Sequence, residues 1–245
     1  MPSPAPLRRR IALITGASRG IGRHIARSLA GTRMRLVLSS RTLESLEPVL
    51  AECRALGAES MGIPCDLSSP QEVSRLAHNA SEAFGGLDAL VNNAATSLKK
   101  PFHETTDEQW TQTFQVNTMA PFILCRECLP ALRKSDLATI INIGSVVAIK
   151  GYDGQAAYGA SKHALLGFTK VLAREVQPLG IRVHAINPGA VATEMVGVMR
   201  PDLDPTGLID PDDIADWILF LLEHRHARGV VDDIHLRRAG GEPWY

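Results

Sequence analysis

The chain has 245 residues, 45% of them hydrophobic, with 26 basic and 26 acidic side chains and a formal charge of zero. That length can bury a sizeable core as one large domain or two small ones, and zero charge leaves no global field to recruit nucleic acid or an anionic membrane. A small soluble partner is the better match.

Residues 1–10, with Pro2, Pro4 and Pro6 and the basic run from Arg8 to Arg10, read as a flexible arm, frayed or lying on the surface. The apolar stretch behind it, 11–14, is too short for the centre of a secretory signal, and no run approaches the roughly 18 residues of a membrane span. Residues 11–14 read as a short buried strand, 20–30 as a helix, 35–39 as a strand and 43–56 as a helix. A strand over 60–63 and another over 89–91 flank a helix over 71–84, which Gly85-Gly86 stops. Further strands are expected at 139–143 and 182–186. Between them lies a long helix ending near Pro178 and Gly180. An amphipathic helix over 213–222 and a last strand over 230–236 precede a tail ending in Trp244-Tyr245. That tail packs on a neighbouring subunit, over a cleft, or back on its own chain. Strands apolar on both faces, alternating with helices, imply an α/β fold: one doubly wound parallel sheet covered on both sides, in a single domain over 11–245.

Four cysteines in a chain this long do not make a disulfide framework and point to a reducing, cytoplasmic compartment. Cys125 and Cys128 form a Cys-x-x-Cys in an apolar segment without a second ligand pair, which reads as buried thiols. His163 follows Lys162 and points about 100° away from it on a helix. His224, His226 and His235 show no carboxylate pattern of a metal site, so no metal is expected.

In such a sheet the ligand lies beyond the carboxyl ends of the strands, where the strand order reverses. The first strand delivers Thr15-Gly-Ala-Ser-Arg-Gly-Ile-Gly22 to that place. Gly16, Gly20 and Gly22 let the backbone approach a pyrophosphate at the start of the next helix. The spacing is not the general Gly-x-Gly-x-x-Gly, and the Gly-Lys-Ser/Thr of phosphate-loop NTPases is absent. The second strand ends in Ser39-Ser40-Arg41, with no carboxylate before Glu44. A carboxylate there would hold the free ribose hydroxyl of NAD, whereas arginine accommodates the phosphate of NADP. With Arg19, Arg41 offers two guanidiniums to one dianion, and NADP(H) is expected over NAD(H).

Tyr158 and Lys162 stand four residues apart on one helical face. An ammonium nearby favours the phenolate, which draws the tyrosine from its reference pKa of about 10 towards working pH. Hydride transfer to a carbonyl carbon builds negative charge on oxygen, and Ser145 and Tyr158 supply two hydroxyls to meet it.

Four blocks in order now resemble the short-chain dehydrogenase/reductase family: Thr15 to Gly22, Asn92-Asn93-Ala94, Ser145 with Tyr158-x-x-Ser161-Lys162, and Asn187-Pro188-Gly189 with Thr193. The resemblance implies a Rossmann fold with seven parallel strands. It implies that Asn117 holds a water linking the lysine to solvent and that Ser145 orients and polarises the substrate carbonyl. Tyr158 is then the general acid in reduction or base in oxidation, and Lys162 binds the nicotinamide ribose and lowers the tyrosine pKa. Cofactor contacts carried over are Gly16, Ser18, Arg19, Gly20, Ile21 and Gly22, Asp66 and Leu67 at adenine, Asn93 beside the adenosine ribose, and Pro188, Val191 and Thr193 near the carboxamide. It also implies a homodimer or homotetramer built on two long helices bearing Asn117 and Tyr158.

Two departures stand out. Ala95 replaces the usual glycine, and the stretch 193–212, broken by Pro201, Pro205 and Pro211, is too short for the family's helical lid. An open site suits a bulky or carrier-tethered substrate. The resulting expectation is NADPH-dependent reduction of a ketone or 3-oxoacyl thioester, as in fatty acid metabolism. The alternatives are an alcohol, sugar or steroid dehydrogenase and a non-catalytic nucleotide-sensing protein; intact Asn117, Ser145, Tyr158 and Lys162 weigh against the last.

Overall fold

Alternate residues of strand β1 (Ile11–Thr15) enter two different apolar cores, Ile11 and Leu13 on one face and Ala12 and Ile14 on the other. A strand buried this way needs helices on both sides. In the computed structural model, which describes residues 7–242, β1 is joined by β2 (Arg35–Ser40), β3 (Ser60–Pro64), β4 (Ala89–Asn92), β5 (Thr139–Ile143), β6 (Arg182–Pro188) and β7 (Asp233–Leu236). They form one sheet in the order β3-β2-β1-β4-β5-β6-β7, every neighbouring pair parallel. The chain winds outward to β3, returns to the middle with β4 and continues to β7, so the order reverses between β1 and β4. This is the doubly wound Rossmann sheet that the sequence leads one to expect.

One core is closed by α1 (Gly20–Gly31), α2 (Glu47–Ala55) and α8 (Pro211–Glu223) through Ile25, Leu29, Val49, Ile214 and Ile218. The other is closed by α3 (Pro70–Ala83), α5 (Ala120–Leu132) and the end of α6 (Ala156–Val176) through Val73, Leu76, Ile123, Leu124 and Val176. The short α4 (Asp107–Phe114) precedes α5, and α7 (Glu194–Met199) follows β6. Ser69, Thr106 and Asp210 cap α3, α4 and α8 by accepting main-chain N–H groups. The start of α1 has no side-chain cap and no acid in its first turn.

Prolines account for two differences from the expected elements. The helix expected over 43–56 begins as a 3₁₀ turn, Glu44–Leu46, and becomes α-helical only at Glu47. Pro48 has no N–H to give the carbonyl four residues earlier, so an α ladder cannot run through that turn. The helix expected to carry Asn117 is likewise interrupted between α4 and α5. Gln115–Met119 take wider π turns, because Pro121 cannot donate to the carbonyl of Asn117. Downstream of α7 a single 3₁₀ turn, Pro205–Gly207, is the other helical element before α8, in line with the short segment expected there.

At the two ends the expectations change further. The last strand starts at Asp233 rather than at 230, because the carbonyl of Val231 receives the His184 ring Nδ1 at 2.6 Å instead of a ladder N–H. The frayed arm is corrected from Leu7 onward: Leu7 is buried in the first core, and Arg9 N–H donates to the Arg33 carbonyl at 2.9 Å. Arg10 lies 3.2 Å from Asp88 and 2.7 Å from Asp136. Residues 1–6 and the terminal Trp244-Tyr245 lie outside the described residues.

Asp88 is the keystone of that edge. Its Oδ2 accepts the Ile11 N–H at 2.7 Å while Oδ1 receives Arg10 and Ser135. Asp88→Ala strands a buried N–H at the start of β1 and is expected to cost about 2 kcal/mol of unfolding free energy. Urea titration measures it; a loss below about 0.5 kcal/mol would place the edge's strength elsewhere.

Candidate active site

The glycine loop is hydrogen-bonded to the turn after β4. Thr15 Oγ1 accepts the main-chain N–H groups of Asn93 and Ala94, each at 3.1 Å. Asn93 Nδ2 returns the contact to the carbonyls of Thr15 and Gly16, at 2.9 and 3.2 Å. Gly16 has φ +65°, and a Cβ there would come within 2.8 Å of the Ala94 backbone. Ala95 has no positive φ, so this turn accommodates alanine without strain. The loop leads into α1, whose first N–H groups have no competing side-chain cap or carboxylate; Ser18 and Ile21 are half-buried there and Gly22 is buried. Free donors at a helix start beside a glycine turn fit the pyrophosphate of a dinucleotide.

The two arginines expected to share a phosphate are differently engaged. Arg19 forms an exposed ion pair with Glu194. Arg41, also exposed, lies close enough to Asp66 to help hold its carboxyl below the ordinary range, after the main-chain and hydroxyl hydrogen bonds from Ser68. Leu67 follows on the same loop and packs at the edge of the second core. Beyond β6, Pro188 ends the strand, Val191 is buried, and the Thr193 methyl lies 3.2 Å from where a Cβ of Gly20 would stand.

At the next strand ends the remaining candidates converge. Ser145 caps the turn Val146–Ala148, with its hydroxyl accepting the Val147 N–H at 3.3 Å and reaching the Tyr158 phenol. Its own N–H donates to Asn187 Oδ1 at 3.1 Å. Tyr158 sits in the first turn of α6 and Lys162 one turn later, its Nζ 5.9 Å from the tyrosine ring centre. Asn117 Nδ2 donates to the Thr96 carbonyl at 2.9 Å and to Ser161 Oγ at 3.0 Å, while its Oδ1 accepts the Thr96 N–H. The π turns thus tie the loop after β4 to the helix bearing the Tyr-Lys pair.

The electrostatics correct one expectation. Burial raises the Tyr158 pKa, opposed by the Ser145 hydrogen bond, rather than the lysine lowering it. Lys162 Nζ donates to the Ile143 carbonyl at 2.8 Å, not to the phenol, and burial lowers its own pKa to about 8. Among the described residues His24, Asp210 and Asp212 could each offer one ligand atom to a cation. Asp210 already caps α8 and Asp212 already pairs with His24 at 2.6 Å, at a helix end whose dipole disfavours positive charge.

In the sequence Asn187 stands out only as part of a motif, and nothing marks Thr15 as a clamp. Their roles depend on what stands across the sheet, which spacing along the chain does not report.

Known proteins resemble this chain over most of its length. The family profile described as short chain dehydrogenase matches residues 10–204. The 3-oxoacyl-[acyl-carrier-protein] reductase FabG of Escherichia coli (strain K12) is 37% identical over 235 residues, 93% of this chain and 95% of its own. Carbonyl reductase family member 4 of Xenopus laevis is 33% identical over 91% of this chain and 94% of its own. The crystal structure of a metagenomic short-chain oxidoreductase in complex with NADP superposes with a TM-score of 0.84 at 33% identity, covering 96% of this chain and all of that one.

The buried ammonium has a measurable consequence. Folded Lys162 keeps its proton up to pH about 8, whereas an unfolded lysine keeps it to about 10.4. Between these values the unfolded chain binds more protons, so this group makes stability rise with pH. Buried Cys53 and Cys65, pushed up to about 11 and about 12, act the other way, but equally in a Lys162→Met variant. The unfolding free energy of the wild type minus that of the variant should therefore climb from pH about 8 to about 10. A flat difference in urea titrations would mean that Lys162 is not desolvated.

Proposed function

The chain belongs to the short-chain dehydrogenase family, and from that premise we propose that it is an NADPH-dependent reductase acting on a ketone or 3-oxoacyl thioester, with Tyr158 as general acid. The observation that carries the reading is the meeting of Ser145, Tyr158 and Lys162 at the same carboxyl edge of the sheet as the glycine loop. A bound dihydronicotinamide supplies hydride to the carbonyl carbon. Ser145 and Tyr158 meet the charge that grows on the substrate oxygen, and Tyr158 passes its proton to it. The Ser145 hydrogen bond favours the phenolate left behind, and Lys162, one helical turn away and directed to the Ile143 carbonyl, is kept for the nicotinamide ribose. Asn117 keeps α6 in place through Thr96 and Ser161.

NADP(H) is preferred over NAD(H) in this reading because Arg41 follows β2 in place of a carboxylate. Arg19 joins it by giving up Glu194, since an exposed ion pair is worth only about 0–1 kcal/mol. Asp66 and Leu67 take the adenine end, with Ser18, Ile21 and Asn93 along the pyrophosphate and ribose and Pro188, Val191 and Thr193 at the carboxamide. Similarity to the E. coli reductase supports a carrier-tethered thioester, and the six-residue α7, with Val198 80% exposed, leaves room for one. Four buried free thiols suit the cytoplasm. Exposed Trp110, Phe122 and Val171 on α4, α5 and α6 suit a homodimer or homotetramer.

Mixed with NADPH and a series of 3-oxoacyl thioesters and ketones, the purified protein should consume the reduced cofactor. Tyr158→Phe should lower kcat by about 10²- to 10⁴-fold with NADPH still bound; full turnover by this variant sinks the assignment. Arg41→Ala should raise the KM for NADPH about tenfold and leave that for NADH alone, as expected for losing one charge-assisted hydrogen bond. Equal effects on both cofactors would refute the phosphate contact.

A further inference from the structure

Asn187 is wholly buried in β6, opposite His235 of the edge strand β7, with Asp233 two residues earlier on the same face. Its Oδ1 accepts the Ser145 N–H at 3.1 Å, and its Nδ2 donates to Asp233 Oδ1 at 2.6 Å. The other carboxylate oxygen, Oδ2, lies 3.1 Å from His235 Nε2. A carboxamide can face either way: a neighbour that only donates fixes its oxygen, and one that only accepts fixes its nitrogen. Ser145 N–H is of the first kind and the Asp233 carboxylate of the second, so the two ends of the amide are held together. Gly144 makes the approach possible, since a Cβ there would fall 1.9 Å from Asn187 Oδ1.

We propose that Asp233, steadied by His235, is a positioning residue that locks the Asn187 carboxamide and through it the Ser145 main chain and hydroxyl that face Tyr158. The inference rests on Ser145 working as proposed above. A carboxylate on an edge strand also deters pairing with another sheet, but that duty requires no contact with Asn187. Asp233 is only 28% exposed, and its oxygens are directed to Asn187 and His235.

Asp233→Ala removes the acceptor and leaves the carboxamide held at one end only, by the Ser145 N–H. We expect kcat to fall about tenfold, NADPH affinity to change less than about twofold, and the Ser145 N–H to exchange faster with solvent. Asp233→Asn, which still offers an oxygen to Asn187, should restore both rate and protection. A merely structural role would lower Tm without altering kcat per folded molecule or exchange at Ser145. Should Asp233→Ala fail to fold, the reversed pair decides. Asn187→Asp alone opposes two carboxylates and should lose activity, whereas Asn187→Asp with Asp233→Asn rebuilds the chain of hydrogen bonds and should recover it. Unchanged kcat and exchange in Asp233→Ala, or no recovery in the reversed pair, overturns the proposal. Ser145→Ala tests the underlying reading separately: full turnover there refutes the role of Ser145, while exchange at the Ser145 N–H still reports whether Asp233 holds the strand end.

Discussion

Enclosing an ammonium in protein costs several kcal/mol unless the surroundings compensate. At Lys162 the compensation visible at Nζ is the Ile143 carbonyl, the last of β5. That one bond dictates much of the neighbourhood. It ties α6 to the end of β5, while Ser161, one residue before, meets the π turns at Asn117 and Thr118. It also fixes the height at which Tyr158 stands above the sheet, one turn nearer the helix start. The strain of holding a charge here, seen in its lowered affinity for a proton, is the kind that folds retain at working sites and offset by packing elsewhere.

Around this charge the strand ends are tied by neutral amides. Asn93 braces the glycine loop, Asn117 joins the loop after β4 to α6, and Asn187 anchors the turn that begins at Ser145. Asn93 donates to two carbonyls, while Asn117 and Asn187 both donate and accept, so each pins two segments at once. A frame of amides does not titrate.

Strand positions were legible because a two-faced apolar run is a strong local signal, and β5 matches its expected limits residue for residue. Ser145, Tyr158 and Lys162 were legible because chemistry and spacing coincide on one helix and one strand end. The turns at Pro48 and Pro121 were missed although both prolines are plain in the chain. Apolar periodicity marks which face is buried, not where a missing N–H shifts the ladder by a residue. Arg19 could not be seen to face Glu194, 175 residues away, nor Asn187 to face Asp233 across the sheet. The sign of the Tyr158 shift was equally hidden, since it weighs burial against a charge whose distance only the folded chain sets.

The four thiols have a practical corollary. Cys53, Cys65, Cys125 and Cys128 are all unpaired and buried, and burial raises the proton affinity of each. Alkylating reagents attack the thiolate, so the native fold is a silent background for them. A single cysteine engineered on the exposed face of α7 would take a fluorophore there alone, and the opening of the cleft mouth could be watched in real time without first stripping the chain of its own sulfur.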